Sequence, residues 1–279
     1  MRTEASKQGR NPAIYVRGLR KQYWLYTRPW KRQRLSVVEG ISFDLLPGQT
    51  LGLVGPSGCG KSTLARCVTR LDRPDAGEIW VDGINIAAFR SRELLPYRRQ
   101  IQMIFQDPST AMNPRMSAAQ IIEEPLQLQR RQTRQARRSR AAEMMLEVGL
   151  SPDWMDRRIT EFSGGQRQRL AVARALLLGP RVLVLDEALS GLDLSTQAQI
   201  ANLLLDLQAT HSLSYILISH DLSLVAHMAD RIAVMSSGKI VEQGLTNQVI
   251  SQPAHPVTQS LLEAAQRLPF RTAAAGDCR

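Results

Sequence analysis

The sequence predicts an α/β fold: a mostly parallel sheet with helices on both faces and a block of helices inserted part-way along. Three observations carry this. Short apolar segments alternate along the chain with segments of helical pattern. A glycine-rich turn, residues 55–60, joins one apolar segment directly to a helix. Residues 118–178 read as helical, so they interrupt the alternation instead of continuing it. With 279 residues, 43% of them hydrophobic, a sizeable core can be buried.

In order, residues 1–12 are polar and basic and are expected to form a loose tail without the apolar stretch of a secretion signal. Ile14-Tyr15-Val16 reads as a short strand, and residues 24–35, crowded with Arg, Lys and Trp, as a loop. Residues 41–46 alternate apolar and polar like a half-buried strand. Pro47-Gly48 turns the chain into Leu51-Gly52-Leu53-Val54, a short apolar strand; a helix follows from Lys61 to about residue 71. Residues 77–81 and 101–105 add strands. Neither glycine nor proline interrupts residues 126–148, which predicts one long helix broken at Gly149-Leu150-Ser151-Pro152. Strands at 182–185, 215–219, 232–235 and 240–242 then alternate with helices at 194–211 and 223–229.

Composition narrows the function classes. No apolar run reaches the roughly 18 to 20 residues that cross a bilayer, so the chain is expected to stay on the cytosolic side. Cys59, Cys67 and Cys278 have no pairing or metal-ligand spacing and fit a reducing compartment. The net charge of +11 is partly clustered, at Arg28, Lys31, Arg32 and Arg34 and again at Arg130, Arg131, Arg134, Arg137, Arg138 and Arg140. The simplest reading is an exposed loop and a solvated helix face. Anionic lipid comes second; nucleic acid is not expected, because no aromatics interleave with the second cluster.

The chemistry begins at Gly55-Pro56-Ser57-Gly58-Cys59-Gly60-Lys61-Ser62, which fits G-x-x-x-x-G-K-[ST], the P-loop. Its glycines let main-chain N–H groups curl toward phosphate oxygens, and the helix that follows adds its positive end. Lys61 would reach the β- and γ-phosphates and Ser62 would ligate Mg²⁺. Gly55, Ser57, Gly58, Cys59, Gly60, Lys61, Ser62 and Thr63 are thus the candidate nucleotide-binding residues. The apolar strand Val182-Leu183-Val184-Leu185 ends in Asp186 and Glu187. At that strand's carboxyl end Asp186 would help hold Mg²⁺, and Glu187 would act as general base toward the attacking water.

Glu161-Phe162-Ser163-Gly164-Gly165-Gln166-Arg167-Gln168-Arg169 resembles the signature motif of ABC ATPases. The resemblance spans roughly residues 14–242. It implies a P-loop NTPase core with an antiparallel β subdomain and an inserted helical subdomain near 107–178. The domain would occupy 13–245, with a C-terminal extension at 246–279. It also implies a head-to-tail dimer in which Phe162, Ser163, Gly164, Gly165 and Gln166, with Asp193 of the D-loop Ser190-Gly191-Leu192-Asp193, meet ATP held by the partner. Gln106 looks like the Q-loop glutamine that senses Mg²⁺ and water, His220 like the switch histidine, and Tyr23 like the aromatic that stacks on adenine; Tyr15, Trp24 and Tyr26 are neighbouring alternatives.

Two stretches resemble the oligopeptide, dipeptide and nickel importers in particular: Gln106-Asp107-Pro108 with Asn113-Pro114-Arg115-Met116, and Pro253-Ala254-His255-Pro256-Val257-Thr258-Gln259-Ser260-Leu261-Leu262. The resemblance therefore implies an ATP- and Mg²⁺-dependent motor subunit at the cytoplasmic face of the inner membrane. Its partners would be a second, different ATPase chain, two membrane permeases and, indirectly, an extracytoplasmic substrate-binding protein. Ala188 and Gly191 depart from the peptide-importer pattern, and Cys278 alone cannot hold the iron–sulfur cluster some relatives carry. The rival readings are a soluble ABC ATPase acting on ribosomes or nucleic acid, and a nucleotide-binding regulator without turnover.

Overall fold

The computed structural model describes residues 11–28, 31–129 and 132–266. Most of the expected tail, Arg130, Arg131 and Cys278 lie outside them. The first elements are β1 (Ile14–Arg28), β2 (Lys31–Leu45), β3 (Thr50–Val54) and α1 (Lys61–Val68), then β4 (Ala76–Val81) and β5 (Ile84–Asn85). Next come α2 (Leu95–Gln100), β6 (Ile101–Ile104), α3 (Pro108–Ala111), α4 (Ala118–Gln129), α5 (Arg134–Glu147) and α6 (Gly164–Leu176). The chain continues with β7 (Val182–Asp186), α7 (Leu194–His211), β8 (Ser214–Ile218), α8 (Leu222–Met228), β9 (Arg231–Ser236), β10 (Lys239–Leu245), α9 (Thr246–Ser251) and α10 (Pro256–Gln266).

One sheet has the order β10-β9-β3-β8-β7-β6 and is parallel except for β10 at its edge. Its inner strands β3, β7, β8 and β9 are buried on both faces, which is why they read as apolar runs without clean alternation. Successive residues still point to opposite sides. Leu183, Leu185, Tyr215, Leu217, Ile232 and Val234 join a core shared with the helical insertion. Val182, Val184, Ile216, Ile218, Ala233 and Met235 join a second core, closed by α1 and by the antiparallel sheet β2-β1-β4-β5.

Three expectations need correction. Of residues 24–35, expected as a loop, 24–28 and 31–35 are strand: β1 and β2 pair through them, with Tyr23 opposite Leu35, Trp24 opposite Arg34 and Leu25 opposite Gln33. Trp24, Leu25 and Leu35 are exposed, so burial imposes no alternation there, and cross-strand contacts such as the Arg34 guanidinium 4.7 Å from the Trp24 ring centre take its place. The strand expected at 14–16 is the start of this longer one. The single helix expected over 126–148 is two, α4 and α5. No glycine or proline makes the break; Thr133 is extended, and its hydroxyl accepts from Ala136 N (3.3 Å) to cap α5. Nor is the basic run on α5 only a solvated face: Arg137 pairs with Glu123 (3.7 Å) and Arg138 with Asp156 (2.7 Å), tying the insertion together.

Candidate nucleotide site

β3 delivers the chain into the P-loop, and α1 leads out of it. Gly60 has φ +107°, and a Cβ there would stand 2.4 Å from the Val37 carbonyl of β2, so only glycine fits. Lys61 follows as the first residue of α1. Its side chain is 6% exposed, and its ammonium donates to the carbonyls of Gly55 (2.8 Å) and Pro56 (3.0 Å), with Cys59 Sγ at 3.9 Å. Ser57 and Gly58 are exposed at the loop's tip, and Cys59 is buried behind it.

Ser62 Oγ donates to Asp186 Oδ1 at 3.0 Å, joining the start of α1 to the end of β7. Burial raises the Asp186 pKa, the Ser62 hydrogen bond opposes this, and the neighbouring Glu187 charge adds to the rise. Glu187 N–H donates to Ile218 O (3.0 Å), and Glu187 Oε2 lies 3.8 Å from His220 Nδ1. The acids after β7 and the histidine after β8 therefore meet because those strands are parallel neighbours. Gln106, just after β6, lines a groove of about 560 Å³ with Gly164, Ala188, Gly191 and His220.

The signature segment divides into two parts. Phe162 is buried, edge-on to Trp154 with ring centres 6.2 Å apart, and anchors the corner without presenting its ring. Ser163 and Gly164 are exposed. Ser163 Oγ accepts from Gln166 N (3.3 Å) and Gln166 Oε1 accepts from Ser163 N (2.9 Å), a capping box that opens α6. Asp193 caps α7 with its carboxylate alone, accepting from Thr196 N (2.9 Å) and Thr196 Oγ1 (2.6 Å), bonds that lower its pKa. Among the described residues no hydrogen bond or ion pair joins this corner to the P-loop. Tyr23, in β1, is 36% exposed, and its hydroxyl donates to Asp72 Oδ2 (2.9 Å). Sequence reasoning overlooked Asp72 and also Thr196, whose Cγ2 would lie 2.5 Å from a Cβ on Gly165. No residue pattern announces either; both contacts arise from tertiary approach.

The family described as ABC transporter matches residues 38–190. This chain belongs to that family. The dipeptide transport ATP-binding protein DppF of Haemophilus influenzae is 44% identical over 261 residues, 92% of this chain and 79% of that protein. The probable D,D-dipeptide transport ATP-binding protein DdpF of Escherichia coli is 46% identical over 232 residues, 83% of this chain and 71% of that protein. Among solved structures, a dimeric post-hydrolysis state of the ATP-binding cassette MJ0796 bound to ADP and Pi matches with a TM-score of 0.74 at 26% identity, over 84% of this chain and 98% of that one.

The residues of this ABC cassette fit an ATP substrate. Lys61 is a buried cation, and among the described residues no carboxylate pairs with it, so its charge is free for phosphate. Mg²⁺ fits as well: a serine hydroxyl and a carboxylate held 3.0 Å apart are the hard oxygen donors that ion takes. No described hydrogen bond joins Gln106 to either of them.

Proposed function

We propose that this cassette is one of two ATP-hydrolysing motor subunits of an importer for peptides, or for nickel. The observation that carries the proposal is the convergence of Lys61, Ser62, Asp186, Glu187 and His220 at the ends of β3, β7 and β8. Relatives such as the dipeptide transport ATP-binding protein DppF support peptides as cargo.

In this reading the P-loop backbone and Lys61 bind the β- and γ-phosphates, and Tyr23 stacks on adenine. Ser62, Asp186 and Gln106 would hold Mg²⁺, which supplies charge neutralisation of the phosphates when bound. Glu187 accepts the proton of the attacking water, and His220, facing it at 3.8 Å, contacts the γ-phosphate. Ser163, Gly164, Gly165 and Gln166, with Asp193 across the seam, close on the partner's ATP. The exposure of Ser163 and Gly164, and the lack among the described residues of any hydrogen bond from them to this chain's own P-loop, support that assignment.

A groove of about 310 Å³ between β6 and the helical insertion, lined by Leu71, Phe105, Pro108, Met112 and Pro125, suits a helix of a membrane permease. Among the described residues no helix is long and apolar enough to cross a membrane. In this reading the subunit works peripherally, at the cytoplasmic face of the inner membrane, through its contact with the permeases. A substrate-binding protein would act on it only through the permeases, and the second ATPase is a different chain.

Glu187→Gln tests this. It should cut turnover about 10²- to 10⁴-fold while leaving ATP binding intact. With the second ATPase present, it should accumulate an ATP-loaded dimer on size-exclusion chromatography. Turnover at the parent rate would overturn the base assignment, and a stable dimer of this chain alone would overturn the heterodimer.

A further inference from the structure

The middle of the β1–β2 pair is fastened to the turn that follows the P-loop helix. Asp75 N donates to Arg20 O (2.9 Å), Gln22 N to Asp75 Oδ2 (2.6 Å), and Lys21 Nζ to Arg73 O (2.9 Å). The next contact in this row runs between side chains. Tyr23 Oη donates to Asp72 Oδ2 (2.9 Å), and Arg66 grips the same carboxylate, Nε to Oδ2 at 3.0 Å and Nη2 to Oδ1 at 3.3 Å. Arg66 belongs to α1, one turn beyond Ser62, and Asp72 N donates back to Arg66 O (3.0 Å). Burial raises the Asp72 pKa, but the bonds from Arg66 and Tyr23 outweigh it and hold the group below its ordinary value, so it remains an ionised acceptor at neutral pH. The Tyr23 ring, still partly exposed, has a surface left for a ligand.

We infer that Asp72 is a positioning residue for nucleotide binding: with Arg66 it fixes the Tyr23 ring relative to the helix whose first turn holds the triphosphate. Without the bond the phenol can rotate about its side-chain torsions, and ordering it on binding costs affinity. Asp72 itself touches no nucleotide. The inference rests on the reading of Tyr23 as the aromatic that stacks on adenine.

The test compares the affinity of the full chain for MgATP and for inorganic tripolyphosphate, which has the phosphates but no base, by isothermal titration calorimetry. Asp72→Ala and Tyr23→Phe should each weaken ATP about three- to tenfold. The double variant should be no weaker than the worse single, because both remove the same Tyr23–Asp72 bond. Tripolyphosphate affinity should stay within about twofold, since the phosphate cradle is untouched. Equal losses for ATP and tripolyphosphate would mean that Asp72 merely supports the fold, and the inference would fall. It would also fall if Tyr23→Ala weakened ATP while Asp72→Ala and Tyr23→Phe did not. If Tyr23→Ala itself left ATP binding unchanged, the adenine assignment would fail first, and the role of Asp72 with it.

Discussion

Glu187 has φ +48°, in the left-handed region that side chains other than those of glycine and asparagine seldom occupy. The surroundings hold it there: its N–H donates to Ile218 O, and its carbonyl accepts from Ser190 N (3.0 Å) and Ser190 Oγ (2.7 Å). Such a backbone costs a non-glycine residue about 1–2 kcal/mol. Glu187→Gly should therefore raise the melting temperature by about 2–4 °C while removing turnover. A lower melting temperature by calorimetry would show that the turn is not strained. The position of this acid at the carboxyl end of a buried strand was legible in the sequence, since the apolar run Val182–Leu185 leads straight into Asp-Glu. The strain was not, because φ depends on where Ile218 and Ser190 place their polar groups.

At the scale of elements, contacts between helices decide what single positions tolerate. Gly165 lies against Thr196, so the signature corner of α6 and the first turn of α7 pack as one unit. Gly165→Ala should cost about 1–3 kcal/mol of stability, and Thr196→Ser, which deletes the crowding methyl, should recover much of it in a thermal melt. A double variant no more stable than Gly165→Ala alone would contradict this contact. Glu242 of β10 fastens α10 in a different way: its carboxylate accepts from Ala254 N and His255 N (2.9 Å each) and from Thr258 Oγ1. Burial raises the Glu242 pKa, but these bonds outweigh it and leave the pKa lowered. With the folded value depressed, the unfolded chain binds the proton more tightly. The clamp's contribution is then full above the ordinary glutamate range and is lost as pH falls through the folded pKa. Glu242→Ala should release residues 253–266 at neutral pH, read as faster amide exchange there and nowhere else; unchanged exchange would remove the clamp. The tail could be read from its Pro-Ala-His-Pro pattern, whereas its anchor, on another element, could not. Likewise the β1–β2 hairpin and the α4–α5 break escaped notice, because cross-strand pairing and a threonine cap leave little trace in hydrophobic periodicity.

The whole molecule is joined at the P-loop. Gly60 packs under Val37 of β2; Gly238, between β9 and β10, donates to Cys59 O (3.0 Å) and accepts from Glu39 N (2.8 Å). The antiparallel sheet, the parallel sheet and the phosphate cradle thus share contacts, and the core beneath the helical insertion includes Val54, the residue just before the loop. A chain connected in this way should unfold as one unit, even though its two sheets and its insertion look separable in outline. ATP binds the folded chain only, so at about 100 times its dissociation constant it should add about 2.7 kcal/mol. The single transition should move up by about 5–10 °C. Lys61→Ala should abolish the shift, because it removes the buried cation that the phosphates meet. Calorimetry that resolved two transitions, with ATP moving only one, would show that the helical insertion melts independently, and closure of the nucleotide site would then have to be transmitted through a hinge instead of a continuous core.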